Sequence, residues 1–287
     1  MKNRAAFAPT RRGQILLTIL VLATLPLFSQ VPKWKELEAL GDTLYHREDF
    51  EGALGYYDKA IKESKLKERE AYGALYKRAV CYYSTGAYDN ALKDIDTFLA
   101  ELPQVPQPKL LRAFIYRELN DSDKQLAALE EVIRSQAPDP GLLKWRGMLY
   151  LQKDKFKEAK RDIVAARNLE DDAETETYLG LCYYNLEQKD SAFVCFNKSI
   201  ELDATYTPAY LYAGSISLED DNYDRCLEYI SLALRLDPKN KEALFYKGIA
   251  LIEKKRIDEG CTCLNRAFYA GFDDAGDYLK QYCFGEN

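Results

Sequence analysis

Leu179-Gly180-Leu181-Cys182-Tyr183-Tyr184, answered twelve residues after the glycine by Ala192-Phe193-Val194-Cys195-Phe196, is the stretch whose reading decides the fold. A small residue with an apolar, tyrosine-bearing run behind it, then a second small residue, recurs along the whole sequence. The first small residue is Gly41, Ala79, Ala113, Gly147, Gly180, Gly214 and Gly248; the second is Ala53, Ala91, Gln125, Ala159, Ala192, Cys226 and Gly260. Seven units therefore start at Trp34, Tyr72, Pro106, Pro140, Ala173, Thr207 and Lys241, nearly all of them 33 or 34 residues apart. A period of that length with helical spacing inside each unit predicts stacked helical hairpins, each too small to bury its apolar face alone.

Within a unit, a first helix of about fourteen residues, a short turn and a second antiparallel helix are expected. Two helices approach to about 8–10 Å between axes only where the crossing residues lack bulk, so Gly147 is expected against Ala159 and Gly180 against Ala192. Glu48-Asp49, Thr85-Gly86, Asn120-Asp121, Asp154-Lys155 and Asp220-Asp221-Asn222 supply turn and cap chemistry between the helices. Pro103 and Pro238 stop second helices. The proline-rich joint from Leu102 to Pro108 predicts a kink after the second unit. Four extra residues between the first two units, in the Lys- and Glu-rich stretch from Lys62 to Arg69, are expected to lengthen a helix by about one turn. The third unit departs most from the pattern, with Gln125 at the small-residue position and Ser122 where an aromatic is usual. At the end of the sequence Ala275, Tyr278, Leu279 and Tyr282 share a helix face, with Asp274, Asp277, Lys280 and Gln281 on the other, so residues 274–287 read as a capping helix.

On these residues the chain resembles the tetratricopeptide repeat (TPR) family from Trp34 to its end. Longer helical repeats of the Sel1-like type are the alternative. The resemblance implies an all-α fold, a right-handed superhelical solenoid of about seven TPR helix hairpins over residues 31–273, followed by the cap. It also implies a concave groove, lined by first helices, that takes a protein or peptide partner. At the fifth, ninth and twelfth positions of the units, the expected groove residues are Tyr76, Val80, Tyr83, Leu110, Phe114, Met148, Leu151, Leu181, Tyr184 and Leu211. Aromatic members of such a set supply most contact energy, although inner-face positions also pack against the next hairpin. Chaperone-binding members of the family hold a C-terminal carboxylate with Lys and Asn at the fifth and ninth positions of their first unit. Here these are Glu38 and Asp42, which would repel one.

Residues 1–30 are basic up to Arg12 and apolar from Ile15 to Phe28, the pattern of a secretory signal peptide. The run is short for a membrane helix, and an uncleaved anchor is the alternative. The expectation is an exported protein, periplasmic or secreted, that meets a membrane only through that segment. Because residues 1–30 carry four bases and no acid, the remainder has 36 bases against 46 acids, near −10, with its cations scattered. That excludes an electrostatic nucleic-acid surface.

Seven cysteines make an odd count, so at least one thiol is free or paired between molecules. All but Cys283 fall in expected helices, where they read as small packing residues. Cys261 and Cys263 point about 200° apart on a helix and can share neither a metal nor a bridge.

Enzyme chemistry lacks its parts. His46 is the single histidine, there is no Cys-x-x-Cys or phosphate loop, and Asp171-Asp172, Asp220-Asp221 and Asp273-Asp274 read as caps at unit boundaries. No metal, cofactor or small-molecule substrate is expected. The sequence thus points to a non-catalytic scaffold. A structural subunit of an envelope assembly, contacting partners through its edges, is the alternative, and a hydrolase with an acidic site is a weaker one.

Overall fold

The computed structural model describes residues 31–284; the expected signal segment, 1–30, and the last three residues lie outside them. Among the described residues all regular structure is helical, with fifteen α-helices and a 3₁₀ turn at Arg69–Ala71. The described residues divide into two compact units, the first ending at Phe98 and the second beginning at Leu99. The division falls just before the proline-rich joint at Leu102.

The N-terminal unit holds two hairpins, α1 (Lys33–Tyr45) with α2 (Phe50–Ser64) and α3 (Tyr72–Ser84) with α4 (Tyr88–Glu101), the last turn of α4 passing into the second unit. The C-terminal unit holds five more. They are α5 (Pro106–Glu118) with α6 (Ser122–Ser135), α7 (Pro140–Gln152) with α8 (Phe156–Leu169), α9 (Ala173–Asn185) with α10 (Lys189–Leu202), α11 (Thr207–Glu219) with α12 (Tyr223–Leu236), and α13 (Lys241–Glu253) with α14 (Ile257–Tyr269). The cap α15 (Ala275–Tyr282) follows. Six first helices begin on the expected residue, and α1 begins one residue before Trp34.

The hairpins close by a second contact beside the expected small-residue crossing, which Gly248 and Gly260 show, the Gly248 carbonyl lying 2.8 Å from a Cβ placed on Gly260. A Cβ placed on Gly180 would sit 2.5 Å from Phe196, and one on Gly147 2.6 Å from Ile163. The glycine therefore makes room for the large residue sixteen positions on, not chiefly for Ala192 or Ala159. The same pairing recurs as Gly41 with Tyr57, Gly214 with Ile230 and Gly248 with Leu264. In the second and third hairpins the equivalent positions hold Ala79 with Ile95 and Ala113 with Leu129, all fully buried. The alanine twelve residues on lies nearby through its backbone, with the Ala159 carbonyl 3.5 Å from the Gly147 Cβ position.

Each interhelical turn passes through one left-handed residue: Glu48, Gly86, Asn120, Asp154, Glu187, Asp221 and Lys255, with φ between 55° and 75°. Asp49, Asp121 and Asn222 then cap the incoming helix, each accepting a backbone N–H at 2.9–3.2 Å. Between the first two hairpins the expected longer helix does not form. Lys65 and Leu66 both take φ of 51° and the backbone re-enters through the 3₁₀ turn, so the extra residues form a reversal. Two consecutive left-handed residues end α2 at Ser64.

Two hairpins carry a buried ion pair that the repeat pattern does not announce. Arg146 donates from Nε and Nη2 to both carboxylate oxygens of Asp162 at 2.6 and 2.8 Å, and Arg78 does the same to Asp94 at 2.8 and 2.7 Å. Asp162 and Asp94 are only 3% and 5% exposed. Buried carboxylates persist only when paired in this way. The fifth hairpin has Leu179 and Cys195 at the same two positions, both buried.

The cap is held covalently. Cys261 on α14 is bonded to Cys283 just beyond α15, with Cα atoms 5.7 Å apart, which corrects the reading of Cys261 as a packing thiol. Cys81, Cys182, Cys195, Cys226 and Cys263 are free and buried, the packing role expected for them. Burial pushes the Cys182 and Cys226 thiols up to about 12. Ala275 and Leu279 of the cap are buried against Leu264 and Ala267, with Phe245 edge-on to Tyr278 at 5.3 Å.

Gly180→Ala gains about 1 kcal/mol of helix propensity but forces Phe196 out of its place. Overpacking of a filled core costs about 1–3 kcal/mol, so a net loss in urea unfolding is expected. Asp162→Ala leaves the Arg146 charge buried and should cost about 3 kcal/mol or more. The double change Arg146→Leu with Asp162→Cys, the fifth hairpin's own solution, should recover most of that loss in the same measurement.

Candidate functional site

All ten expected groove residues lie on first helices and are half-buried. In the N-terminal unit Tyr76 and Val80 on α3 face Asp42 and Tyr45 on α1 across a cavity of about 460 Å³, floored by Tyr57 from α2. Its electrostatics are set by one cation between two acids: Lys77 Nζ reaches Asp42 at 2.7 Å and Glu38 at 2.8 Å. Burial alone would lower the Lys77 ammonium, but the hydrogen bonds to Asp42 and Glu38 outweigh it and its pKa is raised. The Tyr57 hydroxyl also donates to Asp42, at 2.8 Å. His46 closes α1, its Nδ1 donating to the Asp42 carbonyl at 2.6 Å, as a helix-end residue would. Tyr83, the third expected residue of this unit, rests beside Tyr88 with ring centroids 6.0 Å apart.

In the C-terminal unit the expected residues divide between packing and lining. Leu110 and Leu151 pack against the core that includes Leu129, Ile163 and Leu179. Leu181 and Tyr184 pack against Ala192, Phe196 and Ala213, and Leu211 packs near Tyr210 and Ile230. The Tyr184 hydroxyl donates to Glu219 on the next first helix at 2.5 Å, and this bond together with burial pushes the phenol up to about 12. Lys144, another inner position, is held by Asp172 and Glu174 at 2.9 and 2.8 Å. Asp172 also caps α9 through the Thr175 N–H at 2.7 Å, so this acidic doublet serves structure.

Met148 borders a second cavity, and Phe114 lies behind its wall against Trp145. Phe114 on α5 stacks on Trp145 on α7 with centroids 5.0 Å apart, and the Arg117 guanidinium lies over both rings at 5.1 and 5.6 Å. Beside them Met148, Gln152, Asn120 and Gln125 enclose about 370 Å³. Sequence reasoning noticed Gln125 only as a departure from the repeat and passed over Trp145. The signal available was a bulky polar residue at a position otherwise reserved for Ala, Gly or Cys.

Among the described residues no helix is long and apolar enough to cross a membrane. Residues 38–106 and 179–206 each match a tetratricopeptide repeat family model. A curated relative, the Hsp70-Hsp90 organizing protein of Triticum aestivum, is 25% identical over 256 residues, covering 73% of this chain. The present protein spans 42% of that relative's length. Among solved structures, a tetratricopeptide repeat protein from Parabacteroides merdae superposes with a TM-score of 0.66 at 15% identity, covering 86% of this chain and 97% of its own. The C-terminal part of a TPR repeat-containing protein from Cytophaga hutchinsonii gives 0.65 at 18% identity, covering 83% and 98%. At such identities the likeness concerns fold, and the fold is the all-helical hairpin array described above. The two matched stretches and the shared fold together support the tetratricopeptide repeat family for this protein.

Proposed function

We propose that the protein is an exported, non-catalytic scaffold that binds a protein partner along the inner faces of its first helices. The observation that carries this reading is the state of the fifth, ninth and twelfth positions. After the hairpins have packed, the ten expected residues at these positions, all aromatic or apolar, remain half-buried, and cavities of about 460 and 370 Å³ lie beside some of them. Half-buried aromatic side chains beside a recess are the anchors from which binding hot spots are built. The curated relative is named for organizing Hsp70 and Hsp90, in keeping with a protein-binding role. In this protein Lys77 is already claimed by Glu38 and Asp42, which argues against capture of a carboxylate tail in the N-terminal unit.

Export rests on the basic and apolar order of residues 1–30 and is supported by the Cys261–Cys283 bond, since disulfides persist in oxidising compartments. Two of the more covered acids, Asp172 and Asp162, are engaged in a cap and an ion pair.

Tyr83→Ala with Phe114→Ala should lose the co-purifying partners of the wild-type protein while keeping its helical circular dichroism. Unchanged partners would count against binding through these faces. The intact mass of protein recovered from cells should lack the apolar run ending at Phe28 and should rise by two hydrogens on reduction; a full-length, fully reduced polypeptide would overturn export.

A further inference from the structure

The third hairpin departs from the repeat where its neighbours do not. At the position that holds Ala53, Ala91, Ala159, Ala192, Cys226 or Gly260 elsewhere, it carries Gln125, whose side chain is 5% exposed. A carboxamide on a side chain so largely covered normally finds partners within the protein. The Gln125 side chain makes no hydrogen bond among the described residues, and it lines the cavity shared by α6 and α7. The hairpin thus gives up the small residue that its packing favours and aims an unsatisfied donor and acceptor into an open recess.

The surroundings narrow what could answer it. Asn120 and Gln152 add two further carboxamides at the rim, and Trp145 and Met148 form an apolar wall. The charge of Arg117 is already met by Glu118, at 3.0 Å from Nη2, and spread over the Phe114–Trp145 stack. Apart from the Arg117 guanidinium, which is paired with Glu118, the lining residues are uncharged, donor and acceptor together, beside a flat aromatic surface. A carboxamide matches a peptide group in one way that a charged ligand cannot reproduce: its oxygen accepts from a backbone N–H while its nitrogen donates to the backbone carbonyl of the same residue. The volume admits a short stretch of polypeptide with one side chain against Trp145.

We infer that the α5–α7 recess reads the backbone of an extended, uncharged peptide segment through Gln125, with an apolar side chain of that segment on Trp145. This rests on the peptide-binding reading above and names where and how the partner is held.

The test uses the full-length protein with Trp34→Phe, which leaves Trp145 as the single tryptophan, and an array of end-blocked, uncharged synthetic decapeptides. A binding peptide should shift the Trp145 emission. Gln125→Met, which keeps length and removes the carboxamide, should weaken that peptide about tenfold, the worth of one buried hydrogen-bonded pair. N-methylation of a single backbone amide of the peptide should weaken it equally, and the two changes together should cost no more than either alone, as coupled groups do. Gln125→Ala restores the repeat's usual small residue and should fold with an unreduced Tm while showing the same loss. Peptide binding with an unmoved Trp145, or losses that simply multiply, would overturn the inference and leave groove binding standing. An array with no binder at all would overturn the inference, and retention of partners by the Tyr83→Ala, Phe114→Ala protein would then remove the groove reading separately.

Discussion

Five of the seven hairpins depend on one steric exchange: the first helix surrenders a side chain so that the second can insert a large one. Phe196 lies where the Cβ of residue 180 would be, and Ile163 where that of residue 147 would be. Dispersion falls off steeply with separation, so a ring lying on bare backbone gains contacts that no pair of medium-sized residues could supply. The cost is a glycine in the middle of a helix, about 1 kcal/mol each. Where alanine takes the glycine's place, at Ala79 and Ala113, the opposing residue is an aliphatic Ile95 or Leu129. Within each compact unit, the half-buried first-helix faces exist because this closure brings consecutive first helices side by side.

Polar chemistry then separates hairpins that are alike in shape. Arg146 with Asp162 and Arg78 with Asp94 put a bidentate ion pair where the fifth hairpin has Leu179 and Cys195. A buried pair adds little stability over an apolar one of similar volume, but its fixed geometry admits one register of the two helices. Between hairpins, Lys77 reaches back to Glu38 and Asp42, Lys144 reaches forward to Asp172 and Glu174, and Tyr184 reaches forward to Glu219. These contacts engage the lysines of the first-helix faces with acids, and in the third hairpin the recess beside the aromatic surface is lined by carboxamides.

The periodicity made the fold legible because spacing is a property of sequence alone. Gly147 to Ala159 can be counted, and the first helices start where the count says. What could not be counted was partner choice at a distance of sixteen residues: Gly180 pairs with Phe196, and the spacing to Ala192 was the more regular signal. The stretch after Ser64 was misjudged for a related reason. Its Lys and Glu content favours helix locally, whereas the left-handed Lys65 and Leu66 are imposed by the need to return to the stack. Of the site, the first-helix residues were legible as positions, but Trp145 and Gln125 were not legible as a pair, since one is six residues into its unit and the other lies on the preceding second helix.

The bond between Cys261 and Cys283 gives the C-terminal unit a polarity that repetition by itself would not. In an array whose members touch only their neighbours, the outermost elements open first. With α15 tied to α14 across its outer face, one terminus is closed as a loop of 22 residues. The hairpin of α5 and α6, at the other margin of that unit, has no such tie among the described residues; Pro106 opens its first helix and Gln125 interrupts the small-residue seam. The covalent tie and the departure from the repeat thus lie at opposite margins of one unit, so the repeated seam is reinforced at one end and altered for a polar interior at the other.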